Sequence, residues 1–383
     1  MDNVITSSIK TGDFELPYAK FGNGKKILVL FPGLYTKSLM PLAGAVANQY
    51  KRFMADYTVY FFDRVTAPPQ GYSMQDMASD TVRAMDELSL RDCYVLGVSA
   101  DGILAQIIAA RRPDLVQRLA VASSAAKETP LSKKAFEEWS SLAKAHNLTA
   151  MNESFAENER CNGKSYIFEG YGHAAYDEAP DFLDKVHAFF EEPLVLYVNS
   201  CVRPSSRTDE LARCLLEKEK NTYIQEVNLQ KEHITGLDLE ALNHRDDCAA
   251  KGRLDDEIFS YARQFARADE IVISAPYWDL LFPASLRSYI ERICVVGLTF
   301  AYTESGMPKS LCRAKKLTYV TTAGGFIGDR HLGFEYIKTI ANVFFGIEDV
   351  RLVKAEGLDI QGADVNGIMK EAKSRMCKTD LKK

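Results

Sequence analysis

Residues 268–306 read ADEIVISAPYWDLLFPASLRSYIERICVVGLTFAYTESG. A charged start gives way to the unbroken apolar run Ile271-Val272-Ile273, which stops at Ser274-Ala275-Pro276. That is the pattern of a strand buried on both faces rather than on one. A turn rich in aromatic residues follows, Tyr277-Trp278-Asp279, and "FPASLRSYIERI" then opens a helix behind Pro283. A strand with two buried faces needs helices packed on each side, so this stretch predicts a parallel α/β sheet.

The same alternation runs through the whole second half. Strands are expected at about 194–198, 222–227, 270–275, 316–321 and 349–355, with helical stretches such as "RTDELARCLLEK" and "HLGFEYIKTIANVFFGI" between them. Five parallel strands with intervening helices predict the doubly wound, flavodoxin-like arrangement, whose ligand site lies beyond the strand C-termini. The domain boundary is placed where a helix ends in Glu191-Glu192-Pro193, giving domains 1–190 and 191–383.

Three neighbouring strand ends carry the chemistry. The first loop holds Asn199, Ser200, Ser205, Ser206 and Thr208 just before a helix, without Gly-x-Gly-x-x-Gly and without Gly-Lys-Ser/Thr, so neither a dinucleotide fingerprint nor a P-loop is supported. Hydroxyls at a helix N-terminus suit a phosphate monoester, although Ser and Thr are also ordinary helix caps. The second end, Pro276, Tyr277, Trp278 and Asp279, offers an aromatic wall. The third, Gly324-Gly325 in "VTTAGGF", lets backbone approach a ligand edge. A phosphate cradle, an aromatic wall and a glycine edge together suit flavin mononucleotide, FMN.

These residues resemble those of the FMN-dependent NADH-azoreductases and NAD(P)H quinone dehydrogenases. The resemblance is carried by "NSCVRPSSRTDELA" (199–212), by residues 268–306, by "KKLTYVTTAGGFIGD" (315–329) and by "IKTIANVFFGIEDVRLVKAEGLD" (337–359). It implies that Ser200, Ser206, Arg207 and Thr208 hold the FMN phosphate. It also implies that Pro276, Tyr277, Trp278, Asp279 and Leu280 line the isoalloxazine, and that Thr322, Ala323, Gly324 and Gly325 contact its edge. Asp279 and Ala323 depart from the residues common there, and a charge at Asp279 is expected to lower the flavin potential. The implied activity is ping-pong transfer of two electrons from NADH or NADPH to a quinone, azo compound or similar acceptor. The implied assembly is a homodimer, with "VGLTFAYTESG" (296–306) reaching the neighbour's site.

The first half is also α/β, with apolar strands in "KKILVLF", "YTVYFFDR", "DCYVLGVS" and "VQRLAVASS" and a helix in "SMQDMASDTVRAMDEL". In "GVSADG" (97–102) a strand breaks at Gly, presents Ser99 and turns at once into a helix. With "FPGLYTKS" (31–38), residues 59–124 and "YIFEGYGHAAYDEAPDFLDKVHAFF" (166–190), it resembles an α/β-hydrolase fold with a reduced lid. The resemblance implies Ser99 as nucleophile, His173 as general base, and Ala100 and Leu34 as backbone oxyanion donors. The orienting acid falls on Glu128, with Glu153 and Glu157 as further candidates. Asp101 stands where the G-x-S-x-G elbow has its second Gly, and is expected to crowd the turn and to place a charge near a developing oxyanion. Two readings of this half stay open: an accessory domain without hydrolysis, or a second activity on a small ester or thioester. For the whole chain a non-catalytic flavin electron carrier, its first half a docking module, is the third.

Composition frames both halves. A chain of 383 residues, 46% hydrophobic and 26% charged, is that of a globular protein. A net charge of −5 gives no basic field for nucleic acid or an acidic membrane surface, so small molecules are the expected partners. No apolar run reaches the length of a membrane span, and the start lacks a basic-then-apolar pattern, so a cytoplasmic protein is expected. Eight cysteines without any C-x-x-C or His-rich grouping suggest neither a disulfide frame nor a metal site.

Overall fold

The computed structural model describes residues 4–11, 14–33, 37–66, 68–124, 166, 168, 175–219 and 222–379. The chain divides into two compact units, Met1–Glu191 and Glu192–Lys383.

In the first unit, six strands form one mixed sheet among the described residues: β1 (Ile5–Thr11), β2 (Phe14–Phe21), β3 (Lys26–Phe31), β4 (Tyr57–Phe62), β5 (Cys93–Val98) and β6 (Val116–Ala122), in the order β1-β2-β4-β3-β5-β6. β3, β4, β5 and β6 run parallel, while β1 and β2 join as an antiparallel hairpin with β2 antiparallel to β4. The parallel strands are the apolar runs read from sequence; β5 is buried along its whole length. Two apolar clusters lie on the two faces, one around Phe53, Tyr57, Phe61 and Phe190, the other around Val29, Phe62, Val95 and Ile108. The helix Met74–Glu87 begins at a full capping box, Ser73 and Asp76 each bonding the other's backbone N–H.

In the second unit, β7 (Leu194–Asn199), β8 (Tyr223–Asn228), β9 (Glu270–Ser274), β12 (Lys316–Thr322) and β13 (Asp349–Ala355) form a five-stranded sheet in the order β13-β12-β9-β7-β8, parallel throughout. Numbered within the unit this is 2-1-3-4-5, the flavodoxin-like order expected from sequence. A small hairpin, β10 (Phe300–Tyr302) with β11 (Pro308–Ser310), stands apart from it. Central β7 and β12 bury nearly every residue between a large cluster containing Phe265, Ile271, Tyr289 and Phe345 and a second containing Tyr197, Leu211, Val272 and Met376. Among the described residues no helix is long and apolar enough to cross a membrane.

Candidate functional site

In the second unit the strand order sets β12, β9 and β7 side by side, so their C-terminal ends are neighbours. Asn199 pairs in register with Ser274, and Ser274 with Val320. A parallel sheet follows each such end with a helix N-terminus, which gathers unpaired backbone N–H groups on one side.

At the end of β7, Ser206 is the N-cap of the helix Arg207–Leu216, its hydroxyl accepting from the Asp209 N–H at 3.4 Å. Among the described residues no acceptor faces the N–H groups of Arg207 and Thr208, so the helix start offers donors to an anion. The side chains named from sequence are largely engaged elsewhere. The Ser200 hydroxyl is fully buried and donates to the Ser274 carbonyl at 2.8 Å. The Thr208 and Thr322 hydroxyls bond each other at 2.6 Å, tying this helix to β12. Arg207 turns to the loop after β13, donating to the Leu358 carbonyl at 3.0 Å and the Asp359 carboxylate at 2.6 Å. In this structure the Ser200 and Thr208 hydroxyls brace the strand ends, and what faces outward is the helix backbone with Ser205 exposed and Ser206 half-buried beside it.

Beneath the loop, Asn199 is held from all sides. Its amide donates to Asp209 at 3.0 Å and Glu226 at 3.1 Å, while its oxygen accepts from the Cys201 N–H at 3.0 Å. Asp209 also takes the Tyr197 hydroxyl at 2.6 Å, and burial together with this bond pushes the Tyr197 phenol well above its ordinary pKa. The loop therefore rests on a rigid polar floor.

At the end of β9 the backbone stays tied to β12 through Tyr277 N–H to the Thr322 carbonyl, 3.0 Å. Trp278 and Leu281 then close a tight turn on each other's backbone, with Asp279 at φ 50° and Leu280 at φ 69°. Positive φ at both central residues is the type I′ geometry, which Gly and Asn occupy at little cost and Leu does not. The strained turn holds Trp278 and Leu280 on the surface, 40% and 43% exposed. The Tyr277 hydroxyl donates to the Arg330 carbonyl at 2.9 Å.

At the end of β12, Ala323 is buried and the chain continues into Gly324-Gly325. The carbonyls of both glycines accept from the 357–359 loop, Gly324 from Asp359 N–H at 2.9 Å and Gly325 from Gly357 N–H at 3.0 Å. The two differ in surroundings. A Cβ on Gly324 would lie 2.4 Å from an Asp359 carboxylate oxygen, whereas one on Gly325 would meet nothing within 4 Å. Gly325 thus borders open space beyond the end of β12, as a ligand edge requires.

In the first unit Ser99 follows β5 at φ 51°, ψ −128° and begins the helix Ala100–Arg111. Gly97 and Gly102 give the room for this turn: a Cβ on either would fall within 2.6 Å of a neighbouring Cβ, that of Ala105 or of Ser124. The glycine needed for close packing has moved one place along, to Gly102, and Asp101 does something else. Its fully buried carboxylate pairs with the Arg64 guanidinium and accepts the Gly33 N–H at 3.1 Å, while Arg64 also donates to the Gly33 carbonyl at 2.9 Å. Burial pushes the Asp101 carboxyl up, and Arg64 and Gly33 oppose that. The charge expected near an oxyanion is therefore turned into a clamp on the Pro32-Gly33 loop. Gly33, at φ 107°, lies against Ser99, its Cβ position 3.7 Å from that of the serine. Ser99, Ala100 and Gly33 are brought together; Leu34, Glu128, Glu153, Glu157 and His173 lie outside the described residues.

A family model described as a flavodoxin-like fold matches residues 194–379. FMN-dependent NADH:quinone oxidoreductase 2 of Clostridium acetobutylicum is 38% identical over 187 residues, 46% of this chain and 92% of that protein. Among solved structures, an azoreductase from Bacillus anthracis str. Sterne is 26% identical, covering 49% of this chain and 98% of its own, with a TM-score of 0.43. An alpha/beta hydrolase fold protein from Chitinophaga pinensis is 19% identical over 40% of this chain and 55% of its own, with a TM-score of 0.32. Through its second unit, the chain belongs to the family of FMN-dependent NADH:quinone oxidoreductases.

Proposed function

We propose that the second unit is an FMN-dependent reductase that uses NADH to reduce quinone or azo acceptors. The observation that carries this reading is the meeting, at three adjacent strand ends, of a helix start with unanswered N–H groups, an exposed Trp278 and the uncrowded Gly325. Those features fit the three parts of FMN: anionic phosphate, planar ring and ring edge. The N–H groups of Arg207 and Thr208, with the hydroxyls of Ser205 and Ser206, hold the phosphate. Arg207 adds its charge to the same end while bracing the 358–359 loop. Pro276, Tyr277, Trp278, Asp279 and Leu280 wall the ring and exclude water from one side, and Thr322 to Gly325 line its edge through backbone. FMN, when bound, supplies the two-electron chemistry that accepts hydride from NADH and passes reducing equivalents to the second substrate. The chain's part is to bind, to orient and to shape the acceptor space.

The test is the visible spectrum of the purified chain and its response to NADH without oxygen. Flavin bands that bleach on NADH and return with a quinone or azo dye are expected. Bands that persist under NADH identify a flavin carrier instead, and a protein that takes up no FMN overturns the reading. The chain pairs with a second copy in this reading, which the surface exposure of Trp278, Tyr302, Met307 and Phe326 supports; light scattering on the eluted protein tests it.

One observation favours a second activity. The backbone of Ser99, held at positive φ between two glycines that cannot carry a Cβ, is that of a nucleophile on a sharp strand-to-helix turn. With His173 as base it cleaves a small ester or thioester, and Ala100 N–H with Leu34 N–H receives the oxyanion. Hydrolysis of short p-nitrophenyl esters that disappears in Ser99→Ala, with NADH oxidation retained, is the expected result; hydrolysis unchanged in that variant removes the proposal.

A further inference from the structure

Between β8 and β9 the helix Leu239–Ala250 packs weakly. Cys248 is its one buried side chain, while Leu239 and Leu242 are exposed. Cys248 sits in a small apolar cluster with Phe259, Ala262 and Val295. Its sulfur, however, points at polar partners rather than carbon. His244 lies one helical turn before it on the same face, and Asp256 comes in from the turn that follows the helix.

The three ligand-type atoms converge. His244 Nε2 is 3.0 Å from Asp256 Oδ1, Cys248 Sγ is 3.3 Å from Asp256 Oδ2, and Cys248 Sγ is 3.7 Å from His244 Nε2. A tetrahedral zinc ion with bonds of about 2.0–2.1 Å to N and O and about 2.3 Å to S holds its ligand atoms roughly 3.3–3.6 Å apart. With one ligand atom taken from each residue, the three lie within 4.8 Å of one another. Closing on a common centre needs small turns of the half-exposed imidazole and of the Asp256 carboxylate, whose two oxygens now face His244 and Cys248 separately.

We infer that His244, Cys248 and Asp256 form a site for one Zn²⁺ ion, with its fourth position open to water. Sulfur with imidazole and a single carboxylate is a poor set for Mg²⁺ or Ca²⁺, which take oxygen cages, and a good one for a borderline ion such as Zn²⁺. Binding replaces the Cys248 proton, now donated to Asp256, and releases it to solvent as the thiolate takes the metal. The neighbouring cations do not oppose this, since Lys251 and Arg253 both pair with Asp247. The metal pins a helix of little apolar contact to the turn at 256–258, whose Ile258 N–H already bonds Asp256 at 3.1 Å. The pattern His-x3-Cys-x7-Asp escapes a search for paired cysteines or clustered histidines, because its third member lies beyond the helix.

The test uses the full chain, stripped with a chelator, dialysed and titrated with Co²⁺ alone, then with Zn²⁺ against a chromophoric chelator, read as difference spectra. One equivalent with a thiolate-to-cobalt charge-transfer band is expected, together with a higher Tm for the zinc form. His244→Gln, at a surface position, is expected to fold normally and to weaken Zn²⁺ by at least about tenfold. Cys248→Ser removes the charge-transfer band, while Cys214→Ser keeps it. No uptake by the folded wild-type chain, or uptake that either ligand variant leaves intact, overturns the site.

Discussion

Gly325 and its neighbour Gly324 differ in what a side chain there would meet, and the proposed FMN site turns that difference into a test. Its φ is not in the left-handed region and a Cβ there meets nothing within 4 Å, so alanine fits the FMN-free fold without strain. Replacing Gly by Ala at a compatible position stabilises by about 0.4–1 kcal/mol, because the unfolded chain loses freedom. If the flavin edge occupies that open space, the added methyl overpacks the bound state at a cost of about 1–3 kcal/mol. At about 1.4 kcal/mol per factor of ten, FMN affinity falls by about 5- to 150-fold. Stability and affinity are thus predicted to move in opposite directions. FMN-free protein is followed by calorimetry, and FMN binding by quenching of flavin fluorescence. Gly325→Val moves affinity the same way and further. A Gly325→Val protein that folds and binds FMN as tightly as wild type refutes the placement of the ring edge. The contrast is Gly324→Ala, whose Cβ meets the Asp359 carboxylate at 2.4 Å and perturbs the loop with or without FMN.

Ser206→Ala removes the oxygen that caps Asp209 N–H; it is expected to cost about 1 kcal/mol in the FMN-free protein and also to weaken FMN, and calorimetry with a titration checks both. Asp101→Ala leaves Arg64 and the Gly33 N–H without their shared acceptor. Removing one partner of a buried ion pair costs about 3–5 kcal/mol, and with Arg64 partly exposed the lower end is expected. Urea unfolding of the first unit reads it, and a change below about 1 kcal/mol rules out the clamp. Glu191 gives a pH dependence. Burial raises its carboxyl, but bonds from Lys26 and from the Tyr57 hydroxyl outweigh that and leave it below the ordinary glutamate value. A depressed carboxyl stabilises above its unfolded pKa and loses that contribution as pH falls through the folded one. Glu191→Gln is therefore expected to lower stability at neutral pH by about 0.5–1 kcal/mol for a pair a third exposed, seen as a lower Tm, and to converge with wild type in acid. A Tm gap that is constant with pH contradicts this.

The central strands were legible because burial on both faces writes a continuous apolar run, as in Leu194–Val198 and Ile271–Ile273. The hairpin β1–β2 was not, since "ITSSIKT" is an exposed edge with no apolar side to read. The hairpin β10–β11 was missed because its strands are three residues each, too short to show an alternation. At the site, sequence named side chains without showing which bonds they already hold. Ser200 and Thr208 are hydroxyls before a helix, and nothing local tells that Ser274 and Thr322, 74 and 114 residues away, take up their bonds. Asp101 read as an obstruction because its partner Arg64 lies 37 residues earlier, on the far side of a helix. The strained turn at Asp279 and Leu280 carries no glycine to announce it.

Both units use one device, a serine at the junction of a parallel strand with the helix that follows, and they use it differently. Ser206 sits at φ −73°, ψ 123°, extended backbone that directs its hydroxyl back over the helix to cap Asp209 N–H. Ser99 sits at φ 51°, ψ −128°, and its hydroxyl makes no cap. Capping stabilises a helix by about 1 kcal/mol, and positive φ at a non-glycine residue costs of that order or more, so Ser99 forgoes one and bears the other. A serine kept merely as a small turn residue has no reason to hold that conformation when the extended one caps. Glycines 97 and 102, which pack where no Cβ fits, fix the strained form from both sides. The same comparison orders the two chemistries. Under the proposed readings, the Ser206 helix start turns its N–H groups to the FMN phosphate, whereas the turn at Ser99 serves the serine side chain itself.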